Sequence, residues 1–263
     1  MIPGFFRTST ILIVVMAVGL LAPFTLAFPQ VQECSVPERF YTFEPLLTKT
    51  PKALAGRRQA VIVALGGAST MGVAAGGVEH AWPARLASVL AERFPSTRIK
   101  AINLAVGRQT AKQAIERLDR DVFPLKPTLV IWETGTMEAV RGTDLDEFRE
   151  TIQTGLDKVR AAGAEVMLMN MQFSRPSDAV IHFERYLSTM RELADVNDVP
   201  LFHRHGIMRY WAENGLLDFR AEDGEKSREL AAKLYGCIGQ AMADFVTRGV
   251  PSTKREQSPV THE

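Results

Sequence analysis

Residues 60–72 read AVIVALGGASTMG, an unbroken apolar run that ends in a glycine-rich turn. An apolar run of this length is typical of a strand that is buried on both faces of a sheet. The turn contains Ser69, and apolar residues recur at helical spacing over residues 82–94. The stretch therefore predicts a strand, a turn that exposes a serine, and a helix, which together form the repeating unit of a parallel α/β sheet.

The same alternation of strand and helix continues along the chain. Further strands are predicted at residues 98–104, 128–132, 165–169 and 200–203, and helices at 82–94, 110–118, 144–162, 178–195 and 225–247. Asp144 is the expected N-cap of the third of these helices, with Glu147 three residues later. This order predicts one α/β domain over residues 59–248, with a five-stranded parallel sheet covered by helices on both faces.

The two ends of the chain differ from the domain. Residues 1–27 contain Arg7, an apolar run at 11–22 and a Thr-x-Ala exit, a pattern typical of a secretory signal peptide. An uncleaved membrane anchor is the alternative, and either interpretation predicts an exported protein of the periplasm or the extracellular space. Residues 28–58 contain several prolines and predict an extended arm, whereas the polar residues 249–263 predict a disordered tail.

Charge and cysteine content narrow the possible functions. The net charge is +1, and the basic residues are scattered along the chain. This charge pattern does not indicate binding to nucleic acid, or to a membrane except through the N-terminal segment. Cys34 and Cys237 are the two cysteines of the chain, and in an oxidising compartment they indicate a disulfide, with two free buried thiols as the alternative. Their separation does not suggest a zinc site.

Ligands of parallel α/β sheets bind outside the carboxyl ends of the strands, where Ser69, Gly107 and residues 133–138 follow the first three strands. The residues alone allow Ser69 to be either a nucleophile near a helix start or a plain helix N-cap. A nucleotide site is disfavoured, because the turn lacks both the lysine of a phosphate-binding loop and the glycine spacing of a dinucleotide fingerprint.

Three segments in chain order resemble the SGNH/GDSL hydrolase family. They are Gly67-Ala68-Ser69, the Asn-x-x-x-Gly of residues 103–107 and the Trp-x-x-Gly-Thr of residues 132–136, and the resemblance extends over residues 60–246. Tyr235-Gly236-Cys237, together with an early cysteine, is similar to a group of exported bacterial members. The resemblance implies a three-layer, flavodoxin-like fold and a serine esterase that needs no metal or organic cofactor.

By position, the resemblance makes Ser69 the nucleophile and assigns the oxyanion hole to the N–H groups of Ser69 and Gly107. Two family residues are replaced, since Ala68 stands where an aspartate precedes the serine and Met137 stands where an asparagine donates to the oxyanion. A thioether cannot donate a hydrogen bond. The predicted oxyanion hole therefore has two donors rather than three.

The base is also missing from its family position. The family's Asp-x-x-His precedes the last helix, but here Asp218 is followed by Ala221, and Asp223 by Lys226, at the histidine spacing. A serine without a base is a weak nucleophile at neutral pH.

Other residues could supply the base. His205, and less favourably His203, is expected at the end of the fifth strand, where both side chains share one face. Glu133 and Glu138 could act as poor bases, and the alternative is that they form structural hydrogen bonds. His80 and His182 are expected on the surface or in loops.

Two functions follow from these residues. The first is an exported serine esterase, with Ser69 as nucleophile and His205 as base, that acts on an ester such as the acetyl groups of an envelope or secreted polysaccharide. The alternative is a catalytically inactive binding or accessory protein of the cell envelope, since both Met137 and the missing histidine weaken the chemistry.

Overall fold

Five parallel strands form the central sheet of the computed structural model of the protein, which describes residues 34–41, 47–56, 58–217, 224–248 and 250. The strands are β1 (Gln59–Leu65), β2 (Arg98–Asn103), β3 (Leu129–Glu133), β4 (Glu165–Met169) and β5 (Leu201–Phe202). They lie in the order β2-β1-β3-β4-β5, which confirms the predicted parallel sheet. The order reverses between β1 and β3, so a ligand is expected at the carboxyl ends of these two strands.

Helices connect the strands and cover both faces of the sheet. They are α1 (Lys49–Ala55), α2 (Ala68–Met71), α3 (Trp82–Arg93), α4 (Ala111–Ile115), α5 (Thr136–Arg141), α6 (Leu145–Ala161), α7 (Arg175–Val180), α8 (Phe183–Val196), α9 (Arg204–Glu213) and α10 (Glu225–Val246). Asp144 caps α6 as predicted, because its Oδ1 accepts the N–H groups of Asp146 at 2.9 Å and Glu147 at 3.2 Å.

The apolar run of β1 is buried on both faces because its side chains alternate between two cores. Ile62 belongs to a core built with α1, α3, α9 and α10. Val63 belongs to a second core built with α4, α6 and α8. The three layers are therefore helices, sheet and helices, as the family resemblance implies.

The structure differs from the prediction around β5. The strand ends at Phe202, and α9 begins at Arg204, so His203 and His205 do not share the face of a strand. The physical reason is the helical spacing of Ile207, Met208 and Trp211 in α9, which are all buried. The predicted helix at 178–195 is likewise divided into α7 and α8.

Several predictions for the chain ends lie outside the described residues, namely the signal peptide or anchor at 1–27 and nearly all of the tail at 249–263. The arm at 28–58 is helical rather than extended over Lys49–Ala55, where Leu54 is buried. Within the described part of the chain, no helix is long and apolar enough to cross a membrane.

Glu165 holds α1 against the start of β4. Its Oε1 accepts the backbone N–H of Lys49 at 2.7 Å, and its Oε2 accepts the N–H of Thr50 at 2.7 Å. Burial by itself would raise the pKa of Glu165, but these hydrogen bonds outweigh burial and hold the pKa below its ordinary value. The ionised carboxylate therefore satisfies donors at the start of α1 that lack partners within the helix.

We expect Glu165→Gln to lower the free energy of unfolding at pH 7 by about 2 kcal/mol, because charge-assisted hydrogen bonds are lost. A lowered folded-state pKa gives stability that is present above the unfolded pKa and is lost as pH falls through the folded pKa. Urea denaturation should thus show that Glu165→Gln lowers the free energy of unfolding less at pH 3 than at pH 7. Glu150→Gln, at an exposed site on α6, is the control, and an equal loss in both variants would contradict the assignment.

The two cysteines form a disulfide, as predicted for a pair of cysteines in an oxidising compartment. A disulfide links Cys34 to Cys237 of α10, with their Cα atoms 4.9 Å apart and a sequence separation of 203. Cys237 is buried in the core that α10 shares with α3. The bond therefore ties the first described residues to the last helix.

We expect the double variant Cys34→Ser with Cys237→Ser to lose about 2–4 kcal/mol of unfolding free energy, since the crosslink restricts the unfolded chain. Urea denaturation of the variant and of the oxidised and reduced wild type measures this. Two alkylatable thiols in unreduced protein from an oxidising compartment, or equal midpoints for all three samples, would contradict it.

Candidate active site

Ser69 is the second residue of α2, directly beyond the carboxyl end of β1. The N-cap of α2 is Gly67, so Ser69 is not a plain helix cap. The Ser69 Oγ lies 3.0 Å from Glu133 Oε1, to which it donates, and accepts a hydrogen bond of 2.8 Å from Arg204 Nη1. The serine hydroxyl thus lies between a carboxylate and a guanidinium.

Glu133 is the last residue of β3, and its other oxygen binds the serine loop. Its Oε2 accepts the Gly67 N–H at 3.3 Å and the Thr70 hydroxyl. Trp82 Nε1 donates to the Thr70 hydroxyl oxygen at 3.0 Å and so fixes that side chain from α3. Both carboxylate oxygens therefore hold the segment that carries Ser69.

Gly66 makes this approach possible. A Cβ at this position would lie 2.5 Å from Glu133 Oε2 and 2.5 Å from Thr70 Oγ1, distances that no real Cβ tolerates. Close packing against the carboxylate, rather than an unusual backbone angle, therefore requires glycine after β1.

Arg204, the first residue of α9, completes the cluster from beyond β5. Its side chain is 0% exposed and that of Glu133 is 5% exposed, with Arg204 Nη1 3.2 Å from Glu133 Oε1. The second guanidinium nitrogen, Nη2, donates to Gln172 Oε1 at 3.3 Å. Because both charges are removed from water, each depends on the other for compensation.

The loop after β2 is fastened to the serine loop. Val106 N–H donates to Gly66 O at 2.9 Å, and the side-chain amide of Asn103 donates to Thr70 O at 2.6 Å. These bonds bring Gly107 to the same sheet edge as Ser69. The backbone N–H groups of Ser69 and Gly107 have no acceptor among the described residues, which leaves both free for an oxyanion.

Met137 and Glu138 lie at the start of α5, beyond β3. Met137 is half-buried beside the cleft, where its thioether has no hydrogen to donate. Glu138 is buried, and its two oxygens accept the N–H groups of Gly135 at 3.1 Å and Ala111 at 2.6 Å. Glu138 therefore stabilises the starts of α4 and α5, which agrees with the structural interpretation of this residue.

A cleft of about 150 Å³ adjoins the serine. Its lining includes Ser69, Arg108, Gln109, Glu133, Met137 and Gln172. The cleft is small and opens at the switch point of the sheet, so it is suited to a short acyl group.

His205 is buried on α9, but the structure does not bring it to Ser69. Its Nε2 lies 2.8 Å from Asp178 Oδ1, and its ring packs edge-on against Phe173 and Phe183. Successive helical residues point about 100° apart, so the helix that directs Arg204 at Ser69 turns His205 towards α7. The expectation that His205 ends a strand facing the serine is therefore wrong.

The hydrogen bonds given above for the Ser69 hydroxyl go to Glu133 and Arg204 rather than to one of the other histidines. Burial, with a contribution from Arg191, lowers the pKa of His203 to about 4. His80 is exposed beside Arg85, and His182 is exposed at the N-cap of α8.

Asp218 and Asp223 lie outside the described residues. In the described ranges, no group of three or more His, Cys, Asp or Glu side chains is arranged to hold a metal ion.

Comparison with known proteins identifies the family of this chain. Residues 33–252 match the Non-GDSL lipase-like family. The chain belongs to this family. The match confirms the SGNH/GDSL hydrolase resemblance, and the family's relatives are esterases and lipase-like hydrolases.

Individual relatives of this member of the Non-GDSL lipase-like family agree with that assignment. The chain is 28% identical over 122 residues to the Escherichia coli (strain K12) thioesterase 1/protease 1/lysophospholipase L1, a match that covers 46% of this chain and 55% of that protein. The chain thus spans about half the length of the curated relatives that it matches.

Two solved structures show the same fold at low sequence identity. A lipolytic protein of the G-D-S-L family from Desulfitobacterium hafniense DCB-2 has a TM-score of 0.54 at 20% identity, over 71% of this chain and 99% of that chain. A two-domain esterase active on acetylated mannans has a TM-score of 0.62 at 19% identity, over 81% of this chain and 56% of that chain.

Proposed function

We propose that the protein is a serine ester hydrolase in which Glu133, rather than a histidine, is the base for Ser69. The observation that carries the proposal is the 3.0 Å hydrogen bond from Ser69 Oγ to Glu133 Oε1. A carboxylate at this distance can accept the hydroxyl proton as the oxygen attacks, and proton transfer by a positioned side chain contributes about 10²–10⁴-fold to rate.

The described groups support a complete acyl transfer. Ser69 Oγ attacks the carbonyl carbon of the ester and its proton passes to Glu133, while the N–H groups of Ser69 and Gly107 stabilise the oxyanion. The protonated Glu133 then gives the proton to the leaving alcohol. Water attacks the acyl-enzyme by the same route in reverse, with Glu133 again as base, and releases the acid.

Two features predict a slow enzyme. Arg204 lies 3.2 Å from Glu133 Oε1, so transfer of the Ser69 proton to this carboxylate disrupts a buried ion pair. Met137 leaves the oxyanion hole without its third donor, a loss that costs about 10²–10³-fold in turnover in serine hydrolases.

The substrate proposed is an acetyl ester on a glycan outside the cytoplasm. The small cleft beside Ser69 supports a short acyl group, and one structural neighbour is an esterase active on acetylated mannans. Export is supported by the signal-like pattern of residues 1–27 and by the disulfide between Cys34 and Cys237.

The proposal is tested by hydrolysis of p-nitrophenyl acetate and by acetate release from acetylated polysaccharides. Wild type should turn over both kinds of ester, and Ser69→Ala should fall to the buffer rate. Ser188→Ala, a serine on α8, is the matched control and should keep wild-type activity. Equal rates for wild type and Ser69→Ala would overturn the proposal.

A second candidate function is glycan binding without turnover. It is favoured by the number of hydrogen bonds that Glu133 accepts. Besides the Ser69 hydroxyl, its carboxylate accepts hydrogen bonds from Gly67, Thr70 and Arg204. A carboxylate that accepts so many hydrogen bonds is suited to holding the serine loop in place. Calorimetric binding of an acetylated oligosaccharide by a wild type that shows no turnover would establish this function instead.

A further inference from the structure

Arg108 places a free positive charge at the cleft beside Ser69. It lines the cleft and is exposed, and it forms no hydrogen bond or ion pair with any residue that the structure describes. The acidic residues of the cleft are occupied, since Glu133 is paired with Arg204, and Glu138 accepts two backbone N–H groups. With Arg204 included, the described lining carries two positive and two negative charges, and Arg108 is the exposed cation among them that has no described partner.

The backbone fixes Arg108 in this position. Its φ of 60° lies in the left-handed region, which disfavours side chains larger than glycine. Such a conformation costs about 1–3 kcal/mol and is concentrated at functional sites. Arg108 directly follows Gly107, so its side chain leaves the backbone next to one of the two oxyanion donors.

Neighbouring groups offer hydrogen-bond donors. The Oε1 of Gln109 accepts from Arg117 and the Oε1 of Gln172 accepts from Arg204, so each glutamine keeps its NH₂ group for a ligand. Thr136 Oγ1 is buried and has no partner in the described part of the chain. These donors suit a ligand that is rich in acceptor oxygens.

We propose that Arg108 selects an anionic substrate, namely an acylated glycan that bears a carboxylate or a similar charged group close to the ester. Turnover of this substrate rests on the proposed esterase function, but binding of the substrate does not. A guanidinium binds a carboxylate with two parallel hydrogen bonds, whereas a neutral sugar gives weaker ones. The exposed and unpaired charge of Arg108 also attracts an anionic ligand to the rim of the cleft.

Binding is measured in the Ser69→Ala protein, so that turnover does not interfere. The ligands are oligogalacturonate, in which each sugar carries a carboxylate, and its methyl-esterified form, in which that charge is masked. Calorimetry compares Ser69→Ala alone with the same protein carrying Arg108→Gln or Arg98→Gln. Arg98 is the matched control, because it is an exposed arginine at the start of β2, on the opposite edge of the sheet.

We expect oligogalacturonate to bind more tightly than its methyl ester, and Arg108→Gln to weaken its binding about tenfold, as the loss of one charge-assisted interaction implies. Arg98→Gln should leave the affinity unchanged. Equal affinities for the two ligands, an equal effect of both arginine variants, or no binding of either ligand would overturn the inference. An inactive wild type whose Ser69→Ala form still binds in this way would contradict only the esterase function.

Discussion

Glu133→Asp is expected to lower kcat for ester hydrolysis by about 10²–10⁴-fold, which is the range for loss of a positioned general base. The shorter side chain keeps the negative charge that Arg204 requires, but withdraws the carboxylate from a Ser69 hydroxyl now 3.0 Å away. Steady-state kinetics with p-nitrophenyl acetate measures the effect, with circular dichroism to show that the fold is retained.

The matched control for this prediction is His205→Asn. His205 is bonded to Asp178 and packed between Phe173 and Phe183, so its replacement should leave kcat within about threefold of wild type. If kcat fell with His205→Asn and not with Glu133→Asp, the base would be His205 and the assignment of Glu133 would be wrong.

Arg204→Met is expected to destabilise the protein by about 3–5 kcal/mol, the usual result of removing one partner of a buried ion pair. Glu133, 5% exposed, would keep a buried charge without its cation. The double variant Arg204→Met with Glu133→Leu should recover much of the loss, because it removes both charges. Urea denaturation of the two single variants and the double variant gives the coupling between the residues.

An exposed ion pair provides the comparison. Arg149 and Glu192 are 37% and 57% exposed, so Arg149→Met should cost no more than about 1 kcal/mol. Equal losses in Arg149→Met and Arg204→Met, or additive effects of Arg204→Met and Glu133→Leu, would contradict a buried pair that holds the site together.

The fold could be predicted because its signals are local. The apolar run of β1 has no polar interruption, and the helices that cover the sheet repeat apolar residues at helical spacing. Ser69 and Gly107 were also accessible from the sequence, since both follow strands whose carboxyl ends meet at one sheet edge. The start of α9 was missed, because β5 has only two residues and gives a weak signal.

The partners of Ser69 were harder to predict because they depend on contacts between distant segments. The sequence predicts Glu133 only as a poor base, and Arg204, which stands between two histidines, has no motif that marks it as a site residue. Arg204 meets Glu133 across a sequence separation of 71, and β5, which precedes Arg204, is not a neighbour of β3, which ends at Glu133. The available signal is its position shortly after β5, because residues beyond the carboxyl ends of parallel strands line the ligand site.

Fluorophosphonate labelling followed by intact-mass measurement tests most directly whether Ser69 is activated by Glu133. Wild type should gain one label, Ser69→Ala none, Glu133→Asp should react at least about 10²-fold more slowly, and His205→Asn should match wild type. No labelling of wild type across a wide pH range, or labelling that persists unchanged in Ser69→Ala or Glu133→Asp, would contradict an activated serine at this site.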